Sequence, residues 1–257
     1  LSPNAVNRGS SGYDVFLTSA RRESEALREV SGYDAQLAEV GLPRFDALRP
    51  TLPSRLILFK ATWRRYLPSR VFGTRPEHDD FAGSAYERFF TNLLHSRRLQ
   101  ELLAAHDYRF VFVPHYNVAP FFTAAATASD RITVAAAGGT DLQALIRRSD
   151  VFMTDHSSVH FDAAYLGTPV IYARFDRDEY EARHAARSWF DYERDGFGPV
   201  TYSLDGALDE LEALLARDCA PDSRYAARVS DIFTHHDFDN SRRVVAAIDD
   251  RLRAQRS

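Results

Sequence analysis

The segment SDVFMTDHSSVHFDAAYLGTPVIY, residues 149–172, decides the fold class of this chain. It holds two short and mainly apolar runs, Val151–Thr154 and residues 169–172, with helical periodicity at residues 158–166 between them. Strands that are apolar throughout are typical of a parallel sheet, because helices cover both faces of such a sheet. The segment therefore predicts a strand–helix–strand crossover within a parallel sheet.

The same alternation continues on both sides of this segment. Strands are predicted at residues 13–18, 56–61, 108–113 and 131–136, and helices at residues 21–30, 81–106 (one or two helices), 118–128, 141–148, 208–216 and 244–253. Such units build a doubly wound α/β domain, so we predict a Rossmann-like parallel sheet. Pro43, Pro50 and Pro53 break regular structure, and we expect a domain seam near them.

Composition excludes several classes of function. The chain has 257 residues, 45% of them apolar, and its net charge of −4 gives no general attraction to nucleic acid. One cysteine, Cys219, rules out a disulfide framework and a zinc site built from several thiolates. No apolar run is long enough to span a bilayer, and no signal-peptide pattern is found. Because Met153 is the only methionine and the chain begins at Leu1, we interpret it as a piece of a longer protein.

Ser157 and Ser158 follow a predicted strand and stand where the next helix is expected to begin. In open α/β sheets, ligands bind beyond the carboxyl ends of the strands. Serine hydroxyls and the free N–H groups of a first helical turn form an anion site that suits a diphosphate. Simple capping of the helix explains the two serines equally well. The chain has neither a Walker A motif nor a Gly-x-Gly-x-x-Gly motif.

His115 follows the predicted strand at residues 108–113. A histidine at a strand end can donate a hydrogen bond to a phosphate or act as an acid. Taken alone, the residue is explained better as a cap of the following helix.

Trp63 and Arg64 follow the predicted strand at residues 56–61. Arginine offers a planar fork of donors for phosphate, and tryptophan can stack on a base. A loop with solvated charges and one core tryptophan is the alternative interpretation.

Two groups of histidines have the composition of a metal site. His156 and His160 are four residues apart, but the glutamate of a His-Glu-x-x-His motif is missing. His235, His236, Asp237 and Asp239 lie in a polar loop, where solvation explains them. We predict no structural metal.

Several motifs together resemble one family, the CDP-glycerol glycerophosphotransferases. The serine-containing segment at residues 149–162 resembles its Ser-Asp-x-x-x-Thr-Asp-Tyr-Ser-Ser-x-x-Phe-Asp motif. The other motifs are GLPRFD at residues 41–46, LFKATWR at residues 58–64, Gly198-Pro199, and DNSRRVV at residues 239–245. The ordered set, which extends from about Tyr13 to near the C-terminus, is much more specific than any one member.

The resemblance implies a GT-B architecture of two facing Rossmann-like domains. It predicts that residues 1–50 are a remnant of the acceptor-side domain with the interdomain linker, residues 51–218 the donor-binding domain, and residues 219–257 a C-terminal helical segment. An essential histidine of the other domain would lie outside this chain, so we expect the chain to be inactive alone.

Roles in the site combine the resemblance, which assigns His115, Ser157, Ser158 and Arg187, with the polar residues at the strand ends. His115 matches an essential histidine, which would stabilise or protonate the leaving phosphate. The diphosphate is assigned to Ser157, Ser158, Asp155, Arg64 and Arg187, with Arg183 as the second match for Arg187, and the nucleotide or ribose to Asp162, Trp63 and His156. Asp162 is equally well explained as a helix cap. The chain departs from the family at His156, which replaces a tyrosine, and at Ala61, which replaces a proline.

The resemblance also implies the reaction and its partners. Glycerol phosphate or ribitol phosphate would pass from a CDP-alditol to a hydroxyl of a growing, lipid-linked teichoic-acid or capsule polymer, with release of CMP. No cofactor is expected, although a Mg²⁺ requirement is left open without a supporting motif. The expected location is the cytoplasm or the cytoplasmic face of a bacterial membrane, with peripheral membrane contact left to the absent N-terminal part. Two alternatives stay open: a GT-B glycosyltransferase that uses a nucleotide sugar, and a non-catalytic docking module.

Overall fold

Six parallel strands form the sheet at the centre of the fold. The computed structural model describes residues 7–52, 54–69, 79–122, 129–136, 139–184 and 188–254. In chain order the strands are β1 (Phe16–Thr18), β2 (Leu37–Glu39), β3 (Leu56–Lys60), β4 (Arg109–Val113), β5 (Ile132–Val134), β6 (Val151–Thr154), β7 (Val170–Ala173) and β8 (Val200–Thr201). The large sheet has the order β5-β4-β3-β6-β7-β8 and every pair in it is parallel, which confirms the Rossmann-like α/β prediction.

Helices connect the strands and cover both faces of the sheet. They are α1 (Arg8–Ser11), α2 (Arg21–Ser31), a short 3₁₀ helix (Pro43–Ala47), α3 (Ala85–Leu94), α4 (Arg97–Ala105), α5 (Ala119–Phe122), α6 (Leu142–Arg148), α7 (His160–Tyr165), α8 (Arg177–Arg183), α9 (Tyr192–Asp195), α10 (Leu204–Leu215), α11 (Ser223–Ile232) and α12 (Asn240–Ala254). None of these helices combines the length and the apolar character that crossing a bilayer requires.

Successive side chains along each strand pack alternately in two layers of the core. Ile57 and Phe59 pack in one cluster, with α3, α4 and α10, whereas Leu58 packs in the other. Val151 and Phe152 divide between the two layers in the same way. Successive side chains of a strand point to opposite faces, so a strand covered on both sides must be apolar at every position. This is why the continuous apolar runs in the sequence marked these strands correctly.

The N-terminal residues form a smaller unit. β1 and β2 pair in parallel, with α2 between them, and this second sheet has two strands. The 3₁₀ helix that follows is part of the main fold, because Phe45 and Leu48 are buried in the second core layer. Phe45 and Leu48 come before the predicted boundary at residue 50 but already pack on the main sheet. The domain division remains a prediction.

The GLPRFD segment ties three parts of the chain together. Gly41 has a φ of +82°, and a Cβ atom added at this position would lie only 1.8 Å from the Oδ1 atom of Asn240. Phe45 stacks on Tyr165 of α7, with ring centroids 4.4 Å apart. Asp46 accepts hydrogen bonds from the backbone N–H groups of Asn240 (2.8 Å) and Ser241 (2.7 Å), at the start of α12. The motif is thus a clamp between the seam, α7 and the C-terminal helix.

Several elements differ from the sequence prediction. The helix predicted at residues 158–166 begins later, at His160. The helix predicted at residues 118–128 is observed as Ala119–Phe122, and residues 123–128 lie outside the described part of the chain. α8, α11, β2 and β8 were not predicted. β2 and β8 are only 3 and 2 residues long, too short to show a period.

We expect Asp46→Ala to lower the free energy of unfolding by about 1 kcal/mol, because it removes a side-chain cap from α12. Burial acts to raise the pKa of Asp46, but hydrogen bonds from Ser241 and Asn240 outweigh it and lower the pKa to about 2. Urea titration at neutral pH measures the change, with Asp249→Ala on an exposed turn of the same helix as the control. Equal effects of the two variants would contradict the capping role.

Candidate active site

A cleft opens where the strand order of the large sheet reverses. β3 lies between β4 and β6, so the chain leaves β3 toward one edge of the sheet and later returns to its other side. Ligands of open α/β sheets bind at such a switch point, beyond the carboxyl ends of the strands. A cavity of about 870 Å³ lies there, lined by residues that follow β3, β4, β6 and β7. The structure thus brings together three of the strand ends singled out in the sequence.

Ser157 and Ser158 line this cavity, as predicted for a ligand site. The alternative interpretation, that they cap α7, is wrong. The helix has six residues, its N-cap position is Val159, and no side chain caps it. The two serines instead form the turn before the helix, in which Ser158 is exposed and Ser157 is buried.

Arg64 is completely buried and holds the ends of three strands together. Its Nε and Nη2 donate to the two carboxylate oxygens of Asp176, at 2.6 and 2.9 Å. Its Nη1 lies 3.0 Å from Asp155 Oδ2 and donates to the carbonyl oxygen of Thr62 at 2.7 Å. Asp155 is equally buried, and its Oδ1 accepts the N–H of Thr62 at 2.9 Å. The predicted contacts of Arg64 and Asp155 with a diphosphate are therefore corrected: both residues position the backbone beneath the cleft.

His156 joins the same network from the next position. Its Nε2 lies 3.1 Å from Asp176 Oδ1, and its Nδ1 accepts a hydrogen bond from Arg174 Nε at 3.4 Å. The ring stacks on Tyr180 of α8, with centroids 3.6 Å apart. Burial lowers the pKa of His156 to about 4, against the opposing effect of Asp176. His156 is among the residues that line the cavity, but its side chain is fully buried and supports α8 and Arg174, so the predicted contact of the ring with the nucleotide is corrected.

His115 stands half-buried at the wall of the cavity. Its Nδ1 accepts a hydrogen bond from the N–H of Asn117 at 3.3 Å, which places the proton of the neutral ring on Nε2. Burial, and next the charge of Lys60, lower the pKa of His115 to about 4. The ring is therefore neutral near pH 7 and can donate one hydrogen bond. Trp63, predicted to bind the nucleotide, stacks behind it at 6.1 Å and is not among the described residues that line the cavity.

The remaining predicted residues lie elsewhere. Asp162 forms a bidentate ion pair with Arg44 of the seam, at 2.9 and 3.1 Å, and thus neither caps α7 nor lines the cavity. Arg187 is outside the described residues. Arg183 pairs with Asp79 and lies over the ring of Tyr66, away from the cavity.

His156, His160 and His236, from the two groups with the composition of a metal site, form hydrogen bonds with protein groups. His160 Nδ1 lies 2.8 Å from the hydroxyl of Tyr172, and burial lowers the pKa of His160 to about 3. His236 Nε2 bonds the carbonyl oxygen of Tyr165, and Asp237 pairs with Arg243. In the described ranges, no three histidine, cysteine or acidic side chains are grouped as metal ligands.

Sequence reasoning missed several residues of the cavity. Arg174 follows β7 directly, is buried, and pairs with Glu181 at 2.8 Å. Arg177 lies 3.4 Å from the same carboxylate, and Lys60 and Trp189 also line the cavity. The strand-end rule that selected His115 applies equally to Arg174, and could have found it.

These features define an α/β domain with a ligand cleft at the switch point of a Rossmann-like sheet. The chain belongs to the CDP-glycerol:poly(glycerophosphate) glycerophosphotransferase family, whose sequence profile matches residues 2–250.

Individual relatives agree with this assignment. The chain is 26% identical over 249 residues to the minor teichoic acid biosynthesis protein GgaB of Bacillus subtilis (strain 168), covering 95% of this chain and 27% of that protein. It is 25% identical over 227 residues to the teichoic acid poly(glycerol phosphate) polymerase of the same organism, covering 81% of this chain and 28% of that protein. The chain thus spans about a quarter of the length of these curated relatives.

Solved structures share the fold. The wall teichoic acid polymerase TagF superposes with a TM-score of 0.66 at 21% identity, covering 97% of this chain and 60% of that one. A putative UDP-N-acetylglucosamine 2-epimerase from Listeria monocytogenes superposes with a TM-score of 0.56 at 18% identity, covering 92% and 59%. The likeness to both supports the Rossmann-like fold of this chain.

We expect Asp176→Asn to lower the free energy of unfolding by about 1.5–3 kcal/mol, because it removes one of the two carboxylates that neutralise the buried Arg64 and weakens the hydrogen bonds that Arg64 donates to it. Burial acts to raise the pKa of Asp176, but Arg64 and His156 hold it well below its usual range. The stabilisation is therefore present above the unfolded-state pKa, about 3.9, and is lost as the pH falls below it.

Urea titration at several pH values measures this difference. The control is Glu101→Gln, which removes one partner of the exposed Arg97–Glu101 pair and should change stability by less than about 0.5 kcal/mol. A similar, small effect at both sites would show that the Arg64 network does not hold the strand ends.

Proposed function

We propose that this chain is the donor-binding part of an enzyme that transfers glycerol phosphate from CDP-glycerol to a hydroxyl of a teichoic-acid chain. The observation that carries the proposal is the family match over residues 2–250, together with a switch-point cleft that holds the serine turn and His115. Glycerol is the alditol because the family transfers glycerophosphate from CDP-glycerol. The alternative of a nucleotide-sugar glycosyltransferase has only the shared fold in its favour.

The proposed reaction breaks one phosphoanhydride bond. The oxygen of the acceptor hydroxyl attacks the phosphorus that carries glycerol, and the bond from that phosphorus to the oxygen of the CMP phosphate breaks. The hydroxyl proton leaves to a base, and the electron pair of the broken bond stays on CMP. Catalysis of such a transfer depends mostly on positioning and on stabilising charge.

Groups in the cleft suit these tasks. Ser157 and Ser158 present a polar turn to the cavity, and Arg174 and Arg177 add positive charge at its wall. Neutral His115 would donate a hydrogen bond from Nε2 to the phosphate oxygen on which charge develops. Because the ring is neutral before the ligand binds, this hydrogen bond is favoured over a role as the acid that protonates the leaving phosphate.

Finer points of the function rest on the resemblance alone. A lipid-linked acceptor and contact with a membrane are parts of the same proposal, and ribitol in place of glycerol, or a capsule in place of a teichoic-acid product, stays as an alternative. The chain covers 60% of the TagF chain that it matches, and the two-domain GT-B enzyme is part of the proposal.

The chain should bind CDP more tightly than UDP or GDP, because the donor is assigned a cytidine base. Calorimetry with the three nucleotides tests the selectivity. Ser158→Ala should weaken CDP binding by about 1 kcal/mol, the contribution of one hydrogen bond. Ser230→Ala, at an exposed position of α11, is the matched control. Equal affinity for all three nucleotides would favour the glycosyltransferase or the docking module.

His115→Ala should lower turnover far more than donor affinity, because a donor to the leaving phosphate acts mainly in the transition state. CMP release by the full-length protein that carries this chain measures turnover, and calorimetry with CDP measures affinity. His95→Ala, at an exposed helix end, is the histidine control. Equal losses of turnover and affinity would assign His115 to ground-state binding.

A further inference from the structure

Lys60 is the only lysine in the chain. The sequence has 32 lysine and arginine residues, and all the others are arginine. Lysine carries a compact charge and changes its pKa readily on burial, whereas arginine stays protonated. A lysine at one position of an otherwise arginine-only chain therefore directs attention to what surrounds it.

Lys60 ends β3, the strand at the switch point of the sheet. It is paired with Val113 of β4 on one side and with Thr154 of β6 on the other, and the Thr154 hydroxyl donates to its carbonyl oxygen at 2.7 Å. The side chain lines the cavity beside His115 and Ser157. Lys60 thus stands where the two turns assigned to the donor phosphates meet.

The ammonium of Lys60 has no carboxylate partner among the described residues. Its Nζ donates to the carbonyl oxygen of Ala61 at 2.7 Å. The acid whose charge acts on the pKa of Lys60 is Asp155, whose oxygens already accept hydrogen bonds from the N–H groups of Thr62 and His156 and pair with Arg64. Burial lowers the pKa of Lys60 to about 8, and Asp155 only opposes this effect.

The other cations of the cavity differ in this respect. Arg174 and Arg177 both pair with Glu181, and Arg194 pairs with Asp195. The charged and titratable groups that line the cavity with Lys60 are His115, His156, His160, Arg174, Arg177, Tyr180, Glu181, Asp191, Tyr192, Glu193 and Arg194, and the charge of Asp155 also acts on Lys60. A half-buried cation without a counter-ion is costly, and an anion brought by a ligand removes that cost.

We propose that Lys60 binds a phosphate group of the nucleoside diphosphate donor, next to His115. The inference rests on the proposed function and adds a residue to its site. Lys60 supplies the full positive charge, and neutral His115 supplies a hydrogen bond to the same phosphate. Because the resemblance places an alanine at this position of the Ala-Pro-Thr-Trp-Arg motif, the lysine sets this chain apart from the family pattern.

A single lysine makes the test direct. Reductive methylation with ¹³C-formaldehyde labels only the N-terminal amine and Lys60, and it preserves the charge of both. The NMR titration of the Lys60 signal then gives its pKa without ligand and with CDP, pyrophosphate or cytidine. CDP and pyrophosphate should raise the pKa from its ligand-free value, about 8 before labelling, and cytidine should leave it unchanged.

Variants test the same contact through affinity. Lys60→Gln should weaken CDP binding at least about tenfold, as for a lost hydrogen bond to a charged group, and should not change cytidine binding. Lys60→Arg should keep most of the affinity. The affinity of the unmodified chain for CDP should fall as the pH rises above about 8, and that of the arginine variant should not. Arg97→Gln, an exposed charge on α4, is the control.

The outcomes separate the two proposals. CDP binding that leaves the Lys60 pKa and the affinity of Lys60→Gln unchanged would overturn the role of Lys60 and leave the proposed function standing. No binding of CDP would overturn the proposed function, and pyrophosphate alone would then decide whether Lys60 holds phosphate. Because the titration uses the unsubstituted chain, a variant that fails to fold does not affect this decision.

Discussion

The buried guanidinium of Arg64 is the constraint on which the cleft depends. Two carboxylates from different turns, Asp155 after β6 and Asp176 after β7, neutralise a charge that has no contact with water. A buried charge is tolerated only when it is paired and hydrogen-bonded with good geometry. Since the partners lie 91 and 112 residues away in sequence, the network can form only when β3, β6 and β7 are aligned.

This alignment has consequences at the surface of the cleft. Asp155 holds the start of the serine turn through the N–H of His156, and Asp176 holds the imidazole of the same residue. That imidazole in turn contacts Arg174 and stacks on Tyr180, so α8 is fixed against the strand ends. Groups that would meet a ligand are thus set by a layer of charged groups that a ligand does not reach.

Motifs that resemble the family have two different physical roles in this chain. The GLPRFD and Thr-Trp-Arg motifs supply Asp46, Arg44 and Arg64, which bond to other protein groups. The serine turn and His115 instead face open space. A motif therefore marks a constraint on the fold as readily as a contact with a ligand, and burial separates the two cases.

The sequence by itself determined the class of fold and the region of the site. Continuous apolar runs at β3, β4, β6 and β7 marked strands covered on both faces, and polar residues after them marked the cleft, because both signals are local along the chain. Only the tertiary structure decided which polar residues face the cavity. Arg64 and Asp162 looked like ligand contacts until long-range pairing with Asp176 and Arg44 buried or neutralised them. Charge pairing across more than a hundred residues has no periodicity, so a sequence pattern cannot reveal it.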